Sequence, residues 1–240
     1  MGIPGKIIRL YPVVLTYRPI WLLIPYPMSQ KGKYRRSWIA RRGNAPRIPE
    51  LTTIYYRRQT MSELASLIES RRSIRNFQEK DVPEDVLNQI FETIRWTPSW
   101  ANSQCWEIVV VRDAKLKEAL KETMAPKNPA TKSITGAPVV LGICGKLNTT
   151  GYYSGQITTK FGDWFMFDLG IVTQNICLMA HSMGLGTVVV GLYDHDRAKK
   201  IIQVPDGYEL VALLPLGYPA KTPPAPPRKQ IAEFVHLNTF

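Results

Sequence analysis

The chain has 240 residues, 45% of them hydrophobic and 21% charged, which is enough for one domain with a full core, or one domain plus an extension. A net charge of +12 would point to nucleic acid or an anionic membrane if it were spread evenly, but residues 1–60 hold 12 Lys/Arg against the single acid Glu50, leaving 19 basic and 18 acidic residues in the rest. The three cysteines, Cys105, Cys144 and Cys177, are odd in number and lack Cys-x-x-Cys spacing, which argues against a disulfide framework, a zinc site or an iron–sulfur cluster.

The first quarter carries seven prolines and no helical or strand period of useful length. Its apolar run from Tyr11 to Met28 is interrupted by Arg18 and broken by Pro12, Pro19, Pro25 and Pro27, so it does not read as a membrane helix. Lys6 and Arg9 precede the run in the manner of a signal peptide, but no convincing small-residue cleavage site follows. Met61-Ser62-Glu63-Leu64 reads as a fresh start. Residues 1–60 are therefore expected to be a basic, Pro-rich extension outside the working fold. A basic anchor, a nucleic-acid tail and a targeting segment stay open as alternatives. Residues 61–240 are expected to form the folded domain.

Leu64, Leu67 and Ile68 recur at helical spacing and lead into Arg71-Arg72-Ser73-Ile74-Arg75-Asn76-Phe77. If that stretch is extended, Arg71, Ser73 and Arg75 point the same way, with Ile74 and Phe77 as apolar anchors. Guanidinium forks and a hydroxyl suit phosphate or carboxylate oxygens; the alternative is a solvated helix end whose cations favour the C-terminal dipole. Pro83 opens a second helix in the first-turn position, with Leu87, Ile90, Phe91 and Ile94 on one face, and Thr97-Pro98 ends it. Residues 98–106 then form a polar loop rich in Ser, Asn and Gln, flanked by Trp96, Trp100 and Trp106. Its amides offer both donor and acceptor, to a ligand or to the loop's own backbone.

Ile108–Val111 and Pro138–Ile143 read as buried strands, and Ala114–Met124 as a helix between them. Lys146 to Phe161 is a Gly/Thr/Tyr-rich connector. Asp163–Met183 is the longest predicted helix, apolar nearly all round through Trp164, Phe165, Phe167, Ile171, Val172, Ile176, Leu178 and Met179, which predicts burial on several sides and a subunit interface. Gly184 caps it. Gly184-Leu-Gly-Thr-Val-Val does not complete a dinucleotide fingerprint, because position 189 is valine. Thr187–Val190 reads as a strand, and Asp194 in Asp194-His195-Asp196 as a helix cap rather than a metal ligand. Leu210–Leu216 is a further buried strand, and Pro219–Pro227, with five prolines in nine residues, runs extended towards Arg228 and Lys229.

Residues 71–77 resemble the opening motif of the FMN-dependent nitroreductase family. Thr97 to Trp106 resembles its Pro-Ser-x-x-Asn-x-Gln-Pro-Trp pattern, with Cys105 where the family usually has proline. Gly184-Leu-Gly-Thr187, Leu216-Gly-Tyr-Pro219 and Pro227-Arg-Lys229 follow in the family's order. The resemblance implies an α+β fold with a mixed, mainly antiparallel central sheet flanked by helices. It also implies a homodimer that exchanges its C-terminal arms, with an FMN at each interface. Arg71, Arg72, Ser73 and Arg75, with Arg228, are implied to hold phosphate and ribityl. Ser99, Asn102, Gln104 and Lys132 are implied to face the ring, with the Gly191 and Leu192 backbone passing close to it. Tyr152 and Tyr153 stand as substrate contacts, because the connector is too short for the roofing helices of larger relatives. The implied activity is hydride transfer from NADH or NADPH to a nitroaromatic, quinone or similar acceptor by a ping-pong mechanism in the cytoplasm, with flavin N5 rather than a side chain carrying the chemistry. Dehalogenation or flavin breakdown on the same fold is the alternative reaction. A nucleic-acid or membrane-binding role through residues 1–60 is the rival outside enzymology.

Overall fold

A computed structural model of the chain describes residues 62–240, so the expected extension over residues 1–60 lies outside the described residues. Four strands form one sheet in the order β1-β2-β6-β5, where β1 is Trp106–Val111, β2 Val139–Lys146, β5 Gly186–Thr187 and β6 Tyr208–Gly217. Every pairing between these strands is antiparallel, and β6 bulges opposite Ile143/Cys144. A separate hairpin pairs β3 (Tyr152–Tyr153) with β4 (Gln156–Ile157). Central β2 is buried at every position but its last, as its unbroken apolar run predicts.

Alternation along β2 and β6 sends side chains to two apolar layers. Val139, Leu141, Ile143, Leu214 and Leu216 pack on one face against α2 (Glu84–Ile94) and α5 (Phe165–Ser182). Val140, Cys144, Leu210 and Leu213 pack on the other against Leu120 of α3 (Ala114–Lys121), Ile134 of α4 (Thr131–Gly136) and Ala198 of α6 (His195–Ile201). The sheet is thus covered by helices on both faces. Leu87, Ile90 and Ile94 are the buried face of α2, as their spacing predicts.

Several local expectations shift. Pro83 is the N-cap of α2 rather than its first helical residue. Helix α3 stops at Lys121, and Met124 bridges Tyr193 instead. β1 is half-buried rather than buried, because it is an edge strand; Val111 alone is fully covered. The ladder expected over Thr187–Val190 is interrupted, pairing at Gly186–Thr187 and again at Val190. Helix α1 (Glu63–Ser70) buries none of its residues; Leu64 and Ile68 remain 56% and 51% exposed. Helix α5 buries Leu169, Val172, Ile176 and Ala180 but leaves Met166 and Phe167 in the open. Its C-terminus closes as expected: Gly184 takes φ +76, its N–H donates to His181 O, and the Leu185 N–H reaches Ala180 O at 2.9 Å. Among the described residues, no helix is long and apolar enough to cross a membrane.

Candidate active site

After α1 the backbone turns extended and runs as an added strand along the outer edge of β5. Ser73 bridges Thr187 in parallel sense, and the Ile74 N–H donates to Thr187 O at 2.9 Å. Further on, Gln78 N–H donates to Tyr218 O and Ala220 N–H to Asn76 O, so the same segment is pinned to the chain beyond β6. Ile74 is buried and anchors the segment; Arg75 is exposed. Arg72 diverges from its neighbours. Its Nη1 donates to the carbonyls of Glu69 and Arg71, capping the end of α1, beside a cavity of about 130 Å³ lined by Ser70, Ile74, His181, Gly184 and Thr222 among others. Arg71, Arg72 and Arg75 make no ion pair among the described residues, so no carboxylate there neutralises these three cations. Their field is felt nearby: burial, then the charges of Arg71 and Arg72, push the pKa of His181 below the ordinary histidine value.

The polar loop is built differently. Trp100–Asn102 make one turn of 3₁₀-helix in which Ala101 and Asn102 take φ +44 and +55, and Gln104 follows at +48. Left-handed backbone at three non-glycine residues costs energy that the surroundings must over-determine, and such strain clusters at functional sites. The Gln104 N–H donates to Ser99 Oγ, and Gln104 Nε2 to Asn102 Oδ1, so Ser99, Asn102 and Gln104 converge. Ser103 Oγ is buried with no hydrogen-bond partner among the described residues. The loop is held from below by α5. Trp100 N–H donates to both carboxylate oxygens of Asp168, and Asn175 Nδ2 donates to the buried Thr97 Oγ1. The Cys105 thiol also faces Asp168, and burial together with that carboxylate raises its pKa to about 12.

Gly191 and Leu192 continue the segment that Ser73 joins, and both are exposed. Their backbone is fixed by side chains. Asn128 Nδ2 donates to Leu192 O, and His195 sets Nε2 at 3.0 Å from Gly191 O and Nδ1 at 3.0 Å from Leu210 O, with its ring stacked on Tyr193. Asp194 caps α6 through the Arg197 N–H, as its position predicts. Lys132 stands exposed on α4, the helix that begins just after Asn128. Tyr152 donates its hydroxyl to Asn148, and Tyr153 is 76% exposed on the same hairpin.

The structure therefore brings the sequence candidates together in two groups. Arg71, Ser73 and Arg75 lie along one strand edge with Gly191 and Leu192 farther along the neighbouring segment, while Ser99, Asn102 and Gln104 form the loop. The groups sit at opposite ends of α5: the loop hangs on Asp168, the arginine strand lies against His181 and Leu185. Thirteen residues of helix separate these points, about 20 Å of axis. Arg228 is brought to neither; its Nη1 donates to Pro226 O and Pro227 O on an exposed arm. Asp168 and Thr187 were not legible as site residues. The only available signal for Asp168 was a lone acid inside the apolar run from Trp164 to Ile171.

The model of the nitroreductase family matches residues 68–218, which takes in the arginine strand, the loop and the Gly191 segment. An NADH dehydrogenase of Thermus thermophilus is 30% identical over 178 residues, 63% of this chain and 84% of that protein. An FMN reductase [NAD(P)H] of Bacillus subtilis is 26% identical over 191 residues, 75% of each. Among solved structures, a nitroreductase family protein of Clostridium novyi NT superposes with a TM-score of 0.59 at 26% identity, covering 66% of this chain and 86% of that one.

Proposed function

The chain belongs to the nitroreductase family and is an oxidoreductase, and from that premise we propose an NAD(P)H-dependent FMN enzyme that works as a homodimer. The observation that carries the cofactor is the donor set. Arg71 and Arg75 flank Ser73 along one strand, without a carboxylate partner among the described residues, which fits the dianionic phosphate of FMN. The neutral amides of Asn102 and Gln104 fit the carbonyl and nitrogen edge of the isoalloxazine ring, and Ser103 leaves an unused hydroxyl beside them. Lys132 would add a cation near that ring.

Bound FMN supplies a two-electron carrier that takes hydride from NAD(P)H and passes it to a nitroaromatic, quinone or similar acceptor. The chain's own residues bind and orient. Arg71, Ser73 and Arg75 would hold the phosphate, with Arg72 contributing charge from its place at the α1 carbonyls. The exposed Gly191 and Leu192 backbone would leave room for the ring, and His195 keeps that backbone fixed. Tyr152 and Tyr153 would meet the acceptor. One site serves donor and acceptor in turn, so turnover would follow ping-pong order.

The roughly 20 Å of helix axis between the two anchor points, Asp168 and His181, supports a site shared by two chains. The exposed face of α5, with Met166, Phe167, Gly170 and Ile171, would pair with its copy and set one subunit's loop beside the other's arginines. Arms exchanged at the C-terminus would bring Arg228 of one chain to the same phosphate. The test is the visible spectrum of the purified protein and titration of the apoprotein with FMN. Yellow protein whose flavin is bleached by NADH or NADPH and recoloured by a quinone is the expected result; protein that takes up no FMN overturns the reading.

A further inference from the structure

Asp168 is 1% exposed, and every partner its side chain has among the described residues is a neutral donor. The Trp100 N–H lies at 3.1 and 3.2 Å from its two oxygens, the Thr150 hydroxyl at 2.7 Å and the Cys105 thiol at 3.7 Å. No Lys or Arg side chain reaches it among the described residues. It sits in the first turn of α5, where the helix dipole favours an anion. A buried carboxylate is costly unless several hydrogen bonds satisfy it, so these three donors and the helix end hold one another in place.

Their positions in the chain give the arrangement its consequence. Trp100 opens the 3₁₀ turn whose next two residues are left-handed, and Cys105 closes the same loop. Fixing both ends over-determines the strained backbone between them, which is the condition for such strain to persist. Thr150 lies two residues before Tyr152 in the connector that carries Tyr152 and Tyr153, and the Trp164 N–H returns to Thr150 O at 3.0 Å. One carboxylate thus ties the ends of the amide-bearing loop and the start of the tyrosine hairpin to one turn of helix.

We propose that Asp168, with the Trp100 N–H, Cys105 and Thr150 as its donors, is the positioning residue that aims Asn102 and Gln104 at the flavin ring and sets the hairpin beside it. The inference rests on the flavin reading above. Cys105 stands where the resemblance expects proline, and proline has no donor to offer; in this chain the loop's last residue adds an S–H to the carboxylate.

The experiment uses the full chain with D168A, D168N and T150V. Apoprotein is followed by hydrogen exchange at the Trp100–Gln104 amides and by thermal unfolding, and FMN by fluorescence titration and the fine structure of its visible band. D168A is expected to lose protection at Trp100, to weaken FMN binding about tenfold and to alter the band shape. D168N keeps one acceptor oxygen and should recover most of the affinity. T150V should weaken binding about threefold while leaving Trp100 protected. If wild-type protein binds no FMN, the flavin reading fails, whereas loss of Trp100 protection in the D168A apoprotein would still support the anchor. If wild-type binds FMN and the variants bind it with unchanged affinity and spectrum, the positioning role is overturned. Should D168A fail to fold, the graded effects of D168N and T150V decide, and normal values in both reject the proposal.

Discussion

Ile74 occupies the space that a side chain on Gly186 would need. A methyl added at Gly186 would meet Cγ1 and Cβ of Ile74, the latter at 2.8 Å. The glycine at that position is what lets the arginine strand run close alongside β5, with Ile74 N–H bonded to Thr187 O. Gly186→Ala is expected to cost about 1–3 kcal/mol by overpacking, because the opposing atoms are a short β-branched side chain that cannot swing away. Urea unfolding measures that cost. The same variant should bind FMN more weakly, since Arg71, Ser73 and Arg75 move with Ile74; unchanged stability would show that the strand relaxes freely.

Removing one guanidinium from a phosphate site forfeits a charge-assisted hydrogen bond of about 1.5–3 kcal/mol, roughly 10–100-fold in Kd. Arg71→Ala is expected to weaken FMN binding by that factor with the fold intact, and Arg71→Ala with Arg228→Ala to purify without colour. Arg72→Ala should instead lower thermal stability slightly, because Arg72 caps the carbonyls at the end of α1. A double variant as yellow as the parent refutes the phosphate assignment.

The elements that were legible in the sequence are those where one physical signal dominated. The period of Leu87, Ile90 and Ile94 identified α2, the unbroken run into Ile143 identified β2, and Gly184 and Asp194 marked helix ends by capping chemistry. Elements misread were those decided by tertiary neighbours. β1 has the composition of a buried strand and lies at an edge, and the Thr187–Val190 ladder is interrupted opposite Pro215 of β6, which has no N–H to donate. The donor residues of the candidate site were visible as clusters of arginine and amide. The acceptor that organises the loop was not, because Asp168 lies 68 residues from Trp100 and no local pattern joins them.

The three cysteines are all buried, and burial raises each thiol pKa, to about 12 for Cys105 and about 11 for Cys144. Native protein at pH 8 should therefore leave a thiol-reactive disulfide dye unreacted over minutes, and denatured protein should consume three equivalents. The linkage has a definite sign. Unfolded thiols lose protons near 9 while the folded ones retain them, so stability is present below pH 9 and falls as pH rises from 9 towards 12. Cys105→Ala should flatten part of that fall. A fast-reacting native thiol would contradict the burial.

Both apolar layers are built from residue 82 onward. A chain beginning at Met61 is accordingly expected to fold with the thermal transition of the whole protein and the same flavin content. A loss of the cooperative transition would place residues 1–60 in the structure.

The C-terminal arm poses the sharpest question about assembly. Ile231, Phe234 and Leu237 are 72%, 58% and 85% exposed beyond a proline-rich run, while Leu64 and Ile68 of α1 and Phe167 of α5 are uncovered apolar surface on the domain. Apolar groups stranded on an arm and apolar patches stranded on a body are both costly in water, at about 25 cal/mol per Å². Two copies that exchange arms would cover both, and would carry Arg228 across to the partner's phosphate site. Ending the chain after Lys221 keeps the Ala220 N–H to Asn76 O bond that pins the arginine strand, and removes only the arm. Light scattering of that variant should report a weaker dimer, and flavin titration an affinity lowered at least as much as in Arg228→Ala. If the shortened chain stays a tight dimer but loses FMN, the arm serves the cofactor alone; a monomer with undiminished FMN affinity would refute the shared site.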